Sequence, residues 1–366
     1  NDNELSISKN VGSIAQYLSK ITSRPSYFRF KDTTKYILDK IPVLGKHLYR
    51  LIHFIKTAIK NSLFTNFFED LGFIYFGQID GHDIKSLIQI LNRAKEVGRP
   101  SVIHIKTTKG KGYSFAEDNP TLYHGVSNFD ITSGIHSGNG NKTFSHVFAK
   151  SIVEAAKNDE KICAITAAMA EGVCLDEFAK LYKDRFFDVG IAESHAVTFS
   201  AGLAKEGMKP VFACYSTFLQ RGYDQILHDV AIQKLPVVFA IDRCGFVGED
   251  GETHQGLYDV SFLMPIPGIS IYSPFSFNQL KVFINKAINL NSPVAVRYPR
   301  GKEHIPDELS KYRNSFDDVI FDDCENADII LITYGRVTGN VYTAKTQLKK
   351  LGIKVGIIIL LKIKPI

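Results

Sequence analysis

The apolar residues of this chain fall into two alternating patterns over its central part. Short apolar runs predict buried strands, and the segments between them carry apolar residues at the spacing of three to four that is typical of helices. The alternation predicts an α/β fold with a mostly parallel, doubly wound sheet. The predicted strands are 162–166, 186–191, 211–215, 236–241, 269–272 and 293–298, and the predicted helices lie near 143–157, 194–205, 219–233 and 276–290.

The flanking segments predict two further regions. The first has a strand at 73–76, a turn at 80–83, a helix at 83–97 that Asp83 can cap, and a strand at 101–106. A linker rich in glycine and asparagine at 133–141 marks a boundary, and Thr143 can cap the helix that follows it. The last region has a strand at 329–334, a helix at 338–350 and a strand at 355–361. We therefore predict domains at 1–134, 135–318 and 319–366, the last one incomplete.

Residues 13–65 form a basic segment that contains ten lysine or arginine residues and two acidic ones. Its apolar residues recur at helical spacing, as in an amphipathic helix. We interpret it as a covering helix with a solvated basic face. Binding to nucleic acid or to a membrane is the alternative that we favour less.

Composition narrows the class of protein only a little. The chain has 366 residues, of which 45% are hydrophobic and 22% charged, as is usual for a globular protein. No apolar run reaches the ~18 residues of a membrane-spanning helix. The net charge of +6 is compatible with anionic small substrates as well as nucleic acid. The five cysteines form no CxxC pair, which favours a reducing compartment over a disulfide framework or a zinc site.

Glu193 follows the apolar run at 186–191 and precedes a predicted helix. Open α/β sheets bind ligands at the carboxyl ends of their strands, so an acid at this position is a candidate catalytic group. The alternative is a negative charge that stabilises a helix N-terminus, and on this stretch alone the alternative is favoured.

Other polar and aromatic residues lie at or directly after the ends of neighbouring predicted strands. Together they favour the catalytic interpretation of Glu193 over the helix-stabilising one. Because parallel strands end at one edge of the sheet, we expect these side chains to lie near Glu193. A fold alone does not require such a cluster, so we predict a functional site there. The residues are Tyr215, Phe218, Arg221, Asp242, Arg243, Asp250, His254 and Arg300.

The motifs at 188–197, 215–221, 228–233, 250–256 and 297–301 closely resemble those of the 1-deoxy-D-xylulose-5-phosphate synthase family, a thiamine-diphosphate-dependent, transketolase-like group. The resemblance implies a thiamine-diphosphate-binding fold, with the end of a diphosphate-binding domain, a pyrimidine-binding domain and the start of a transketolase C-terminal-type domain. It also implies a transferase that condenses pyruvate with D-glyceraldehyde 3-phosphate and releases carbon dioxide, the first step of the methylerythritol phosphate route to isoprenoids. The cofactor's thiazolium carbanion is the nucleophile.

The same resemblance implies roles for the site residues. Glu193 would hydrogen-bond N1′ of the aminopyrimidine, and Phe218 would stack on its ring. The substrate phosphate would be held by Tyr215, Arg243 and Arg300. The remaining catalytic residues would orient substrate or transfer protons, and they are Arg221, Asp250, His254 and His124.

The opening residues resemble the end of the family's magnesium and diphosphate motif. The side chain of Asn3 and the carbonyl of Leu5 would bind Mg²⁺, which prefers oxygen ligands. Lys109 would approach the diphosphate. The Gly-Asp-Gly that begins this motif in the family would precede Asn1, so we expect the chain to be a piece of a longer enzyme.

Two alternatives stay open from the sequence: another thiamine-diphosphate enzyme, of transketolase or pyruvate dehydrogenase β type, and a catalytically incompetent binding chain. The resemblance implies a homodimer without nucleic-acid or membrane partners. The residue usage, rich in lysine, asparagine and isoleucine, favours a plastid-type organelle (an apicoplast), with a bacterial cytoplasm as the alternative.

Overall fold

The computed structural model describes residues 67–120, 122–124, 129–134, 142–248 and 251–365. The chain divides into two compact units, Asn1–Ser137 and Gly138–Ile366. The division lies within the linker at 133–141. The basic segment at 13–65 lies outside the described residues. No helix in the described ranges is long and apolar enough to cross a membrane.

The described part of the first unit contains two parallel strands and three helices. Strand β1 pairs with β2, and helix α2 connects them. Asp83 caps α2 as predicted, because its Oδ1 atom accepts hydrogen bonds from the main-chain N–H groups of Lys85 at 3.0 Å and Ser86 at 3.2 Å. The elements are α1 (Phe67–Asp70), β1 (Ile74–Asp80), α2 (Ile84–Val97), β2 (Ser101–Lys106) and α3 (Ser114–Asp118).

A seven-stranded sheet forms the centre of the second unit. Its strand order is β12-β7-β8-β6-β5-β3-β4, and every neighbouring pair is parallel except β12 with β7. This confirms the predicted doubly wound, mostly parallel architecture. The strands are β3 (Ile162–Thr166), β4 (Phe186–Asp188), β5 (Lys209–Tyr215), β6 (Val238–Asp242), β7 (Ser270–Tyr272), β8 (Val294–Arg297) and β12 (Lys362–Lys364).

The inner strands of this sheet carry continuous apolar runs, because both of their faces are buried. Every residue of β3, β6 and β8 is buried. Thr143 caps α4 as predicted, since its hydroxyl accepts a hydrogen bond from the N–H of His146. The helices are α4 (Phe144–Asn158), α5 (Asp176–Leu181), α6 (Glu193–Lys205), α7 (Ser216–Leu219), α8 (Tyr223–Gln225), α9 (Asp259–Leu263), α10 (Phe277–Ile288) and α11 (Val337–Lys350).

Two predicted elements are wrong in their extent. The strand predicted at 186–191 ends at Asp188, because Oδ1 of that residue accepts N–H bonds from Ala168 at 2.8 Å and Gly190 at 3.0 Å and so turns the chain. Gly190 adopts φ = 73°, a value that glycine tolerates. The helix predicted at 219–233 is instead broken into α7, a 3₁₀ turn, α8 and a π-helix at Ile226–Ala231.

The C-terminal residues form a second, three-stranded sheet in the order β10-β11-β9. Strands β10 and β11 are the predicted parallel pair, whereas β9 runs antiparallel to β11 and was not predicted. Nor was β12, which pairs with β7 and thereby joins the chain end to the larger sheet. The strands are β9 (Val319–Asp322), β10 (Ile329–Thr333) and β11 (Val355–Leu360).

One buried carboxylate ties β9 to the elements around it. Asp322 is 2% exposed and accepts hydrogen bonds from Lys311 at 2.6 Å, Lys345 at 2.7 Å, Tyr312 at 2.8 Å and Tyr342 at 2.9 Å. Burial alone would raise the pKa of Asp322, but these four donors hold it well below its usual range. Asp322 therefore stays ionised and connects β9, α11 and the 3₁₀ turn at Asp307–Tyr312.

We predict that Asp322→Asn lowers the free energy of unfolding by about 3 kcal/mol, because it leaves buried Lys345 without its main partner. Asp323→Asn is the control, since that carboxylate also contacts Lys345 but is 70% exposed, and its loss should cost less than about 1 kcal/mol. The difference between the two variants should shrink as the pH falls from the usual range of an aspartate towards the lowered pKa of folded Asp322, because the stabilisation requires the ionised form. Equal losses measured by urea denaturation would contradict the assignment.

Candidate active site

The site lies where the strands of the larger sheet end. Strands β5 and β6 pair in register, so that Tyr215 at the end of β5 lies opposite Asp242 at the end of β6. Strands β3 and β4 likewise end together, with Thr166 opposite Asp188. The loops that leave these strands carry the predicted side chains, and the shared register brings them to one edge.

Glu193 is the first residue of α6 and is 3% exposed. Its Oε1 atom accepts a hydrogen bond at 3.3 Å from Nη1 of Arg221, whose side chain is 57% exposed. A carboxylate can accept about four hydrogen bonds, and a buried one is costly unless it is paired. Glu193 therefore combines deep burial with acceptor capacity that a ligand donor can use. The pairing of Arg221 with Glu193 was not anticipated from the sequence.

Phe218 in α7 forms the centre of an aromatic group. Its ring stacks on Tyr215, with centroids 5.8 Å apart and planes at 26°, and meets the edge of His254 at 5.2 Å. The Arg221 guanidinium lies 5.5 Å from the same ring. Arg221 thus bridges Phe218 and Glu193. The group offers a flat apolar surface beside a buried acid, which suits a planar aromatic ligand.

Arg243 lies over the Tyr215 ring, with its guanidinium carbon 3.8 Å from the centroid. It adopts φ = 60°, a left-handed conformation that is uncommon for residues other than glycine. Its main-chain N–H donates a 2.6 Å hydrogen bond to Oδ1 of Asp242. The backbone turn and the tyrosine ring together direct this cation at the end of β6.

The loop after β6 folds back as a short hairpin and presents His254. Gly245 and Gly256 exchange two main-chain hydrogen bonds, of 2.7 and 2.9 Å, and Gln255 bonds to both main-chain groups of Val247. A Cβ atom on Gly256 would lie 2.1 Å from the carbonyl oxygen of Arg243, so only glycine fits there. The hydroxyl of Thr217 donates to the carbonyl of Thr253 at 3.2 Å and ties the hairpin to α7.

The other predicted site residues are distributed as follows. Arg300 lies in the loop after β8, and its carbonyl accepts a hydrogen bond from Arg336 at 3.0 Å. In the first unit, Nζ of Lys109 lies 2.6 Å from Nδ1 of His124. Burial lowers the pKa of both groups, and the charge of Lys109 lowers that of His124 further. Outside the described residues lie Asn3, Leu5 and Asp250.

Sequence reasoning missed two residues that support the site, Gly172 and Ser145. Gly172 packs closely against Tyr215, because a Cβ atom at position 172 would lie 1.7 Å from the Tyr215 hydroxyl oxygen. Ser145 in α4 donates a 2.6 Å hydrogen bond to Oδ2 of Asp242, which is fully buried. The position of Asp242 directly after a predicted strand can be seen in the sequence. Nothing in the sequence pairs Asp242 with Ser145, which lies 97 positions away.

The comparisons with known proteins agree with this fold. Residues 141–304 match the family model for the transketolase pyrimidine binding domain. Two solved structures share the fold at a TM-score of 0.53: a split-gene transketolase described as an inactive β4 tetramer (24% identity, 62% of this chain and 73% of that chain) and a transketolase mutant from Pichia stipitis (14% identity, 83% and 59%). The second unit therefore has the thiamine-diphosphate-binding fold of transketolase-type enzymes.

Matches that include the rest of the chain identify a more specific family. Residues 1–107 match the family model described as 1-deoxy-D-xylulose-5-phosphate synthase. Enzymes of that name from Caldanaerobacter subterraneus and Clostridium kluyveri are 50% and 46% identical over the whole of this chain. The chain belongs to the 1-deoxy-D-xylulose-5-phosphate synthase family. It spans 59% of the Caldanaerobacter relative's length and 58% of the Clostridium relative's length.

We predict that Gly172→Ala destabilises the second unit by roughly 1–3 kcal/mol, because the new methyl group must displace the Tyr215 hydroxyl. Gly202→Ala in α6 is the matched control. A Cβ atom there meets nothing within 4 Å, so that variant should be neutral or up to about 1 kcal/mol more stable. Chemical denaturation of both variants checks the prediction. Similar stabilities would show that Gly172 does not hold Tyr215 in place.

Proposed function

We propose that the protein containing this chain is a 1-deoxy-D-xylulose-5-phosphate synthase, a transferase of the transketolase/transaldolase class. It would condense pyruvate with D-glyceraldehyde 3-phosphate, release carbon dioxide and begin the methylerythritol phosphate route to isoprenoids. The observation that carries this proposal is the group at the strand ends: a buried acid, an aromatic surface and a stacked arginine. The 46–50% identity to synthases of this name supports it.

The residues of this edge fit the aminopyrimidine half of thiamine diphosphate. Glu193 is buried and retains acceptor capacity for a ring nitrogen that carries a proton, and Phe218 offers a half-buried ring beside it. The hydroxyl of Ser216 is also buried and lacks a hydrogen-bond partner among the described residues. When bound, the cofactor supplies a nucleophilic carbon and an electron sink, which protein side chains lack.

Glu193 would hold a proton shared with N1′ of the pyrimidine. The low polarity around a residue that is 3% exposed strengthens such a hydrogen bond, because water does not compete for the carboxylate. Arg221 would keep the carboxylate oriented and, from its exposed side, meet the pyruvate-derived group. Phe218 would exclude water from the pyrimidine face.

A second group would bind the phosphate of the acceptor aldehyde. Arginine offers planar, permanently charged donors that suit phosphate oxygens. Arg243, held over Tyr215 at 3.8 Å, presents such a cation at the strand ends, and Arg300 follows the neighbouring strand β8. Tyr215 would support the guanidinium and face the same ligand.

The remaining roles rest on the family resemblance. His254 and His124 would donate or accept protons near neutral pH, and Asp250 would orient the acceptor hydroxyls. Mg²⁺ would be bound by Asn3 and by the carbonyl of Leu5, with Lys109 near the diphosphate. We also propose the domain division at 135–318 and 319–366, a homodimer, and no nucleic-acid or membrane partner.

We place the protein in a bacterial cytoplasm rather than in a plastid-type organelle. The similar synthases come from the bacteria Caldanaerobacter and Clostridium, which support the bacterial alternative and give no support to an apicoplast.

The activity test is carbon dioxide release from pyruvate by protein expressed from the complete reading frame, with thiamine diphosphate and Mg²⁺. We expect release to depend on D-glyceraldehyde 3-phosphate and to yield a five-carbon ketose phosphate. Ketose cleavage without carbon dioxide release would instead support a transketolase. Acetyl transfer to a lipoyl acceptor would support a dehydrogenase subunit, and either result would overturn the proposal.

We predict that Glu193→Gln lowers kcat at least about 100-fold, because the amide has nearly the same shape but cannot accept the proton. The unfolding midpoint should change little. Glu177→Gln, at an exposed position of α5, is the control and should retain wild-type kcat. A kcat of Glu193→Gln within about threefold of wild type would remove Glu193 from its proposed role.

A further inference from the structure

Asp242 is a charged side chain that the proposed mechanism leaves unused. It is the last residue of β6 and is fully buried. Its two oxygens have different partners: Oδ1 accepts the main-chain N–H of Arg243 and Oδ2 accepts the hydroxyl of Ser145, both at 2.6 Å. A buried carboxylate is costly, so its retention at a strand end calls for an explanation.

The surrounding charges supply that explanation. The charges of Arg243 and Arg300 both favour the ionised form of Asp242, and the Arg243 N–H donates to Oδ1 of the same carboxylate. Two positive charges at one subsite repel each other, and a negative carboxylate that interacts with both offsets that repulsion. Arg243 adopts φ = 60°. In this backbone conformation the Arg243 N–H donates to Oδ1 of Asp242 while the Arg243 guanidinium lies over Tyr215.

We propose that Asp242 is the positioning residue of the phosphate subsite: as the ionised, buried counter-charge of Arg243 and Arg300, it holds both arginines ready for the phosphate of the acceptor. The inference rests on the proposed function. Asp242 does not touch the substrate and acts through the arginines. Ser145 supports the same arrangement, because its hydroxyl donates a hydrogen bond to Oδ2 of Asp242 and so fixes the plane of the carboxylate.

The counter-charge requires the ionised form of Asp242. In that form both carboxylate oxygens accept hydrogen bonds, Oδ1 from the Arg243 N–H and Oδ2 from the Ser145 hydroxyl. Burial raises the pKa of Asp242 to about 6, while Ser145, Arg243 and Arg300 oppose that rise. The counter-charge is therefore present above about pH 6 and lost below it.

Three other titratable groups interact with Asp242: Cys174, Cys244 and Tyr298. Burial raises the pKa of each above its ordinary value, and for Cys174 to about 11. All three are therefore neutral between pH 5 and 8, and they add no charge that could mask the titration of Asp242.

The test is Asp242→Asn in the holoenzyme from the complete reading frame. The amide keeps the shape and can still accept the Arg243 N–H, while the Ser145 hydroxyl can rotate to accept from the new NH₂ group. Only the charge is removed. We expect the KM for D-glyceraldehyde 3-phosphate to rise about tenfold or more, and the KM for pyruvate and for unphosphorylated D-glyceraldehyde to change less than about twofold.

The matched control is Asp188→Asn. That carboxylate also ends a strand and accepts main-chain N–H bonds, but β4 is three strands away from β6. It should leave the ratio of the KM values for the phosphorylated and unphosphorylated aldehydes unchanged. Ser145→Ala should shift that ratio in the same direction as Asp242→Asn.

A pH series separates positioning from general structural damage. At each pH, the kcat/KM of the wild type for the phosphorylated aldehyde is divided by the kcat/KM of Asp242→Asn. This quotient cancels the titration of the substrate itself, because both enzymes receive the same substrate. It should fall towards one as the pH falls through about 6. An unchanged KM ratio in an active enzyme, or a pH-independent quotient, would overturn the inference. Absence of synthase activity in the wild type would instead refute the proposed function.

Discussion

The in-register pairing of β5 with β6 is the constraint on which the site depends. It places Tyr215 opposite Asp242, so the segments that follow the two strands begin side by side. Phe218 and Arg221 leave the end of β5, while Arg243 leaves the end of β6 and returns over Tyr215. A shift of one residue in this register would turn Tyr215 and Asp242 to the opposite faces of the sheet and separate the aromatic surface from the arginine.

The site combines two electrostatic environments within a few residues. On one side, Glu193 is buried at a helix N-terminus beside an exposed arginine, which suits a proton-carrying ring nitrogen. On the other, the charges of Arg243 and Arg300 favour the ionised form of buried Asp242, which we propose keeps both arginines ready for an anion. In each case a buried acid and a more exposed arginine form a unit. The two acids differ in their proposed roles, because Glu193 would contact the ligand directly whereas Asp242 would act through the arginines.

The sequence pattern predicted the parallel sheet and the cluster around Glu193 because both depend on local signals, namely apolar runs and the residues that directly follow them. It did not predict the π-helix at Ile226–Ala231 or strands β9 and β12, because these depend on tertiary contacts that short segments do not encode. The bond from Ser145 to Asp242 and the contact of Gly172 with Tyr215 were missed for the same reason. The roles given to Asn3, Leu5 and Asp250 rest on resemblance alone.

We propose that this edge of the sheet serves a decarboxylating carbon–carbon bond formation with a phosphorylated acceptor. Carbon-13 NMR of the reaction of labelled pyruvate with D-glyceraldehyde 3-phosphate tests it most directly. We expect the carboxyl label in carbon dioxide and the two other pyruvate carbons in 1-deoxy-D-xylulose 5-phosphate. Label that stays in pyruvate, or that appears in acetate or acetoin with no dependence on the aldehyde, would contradict the account.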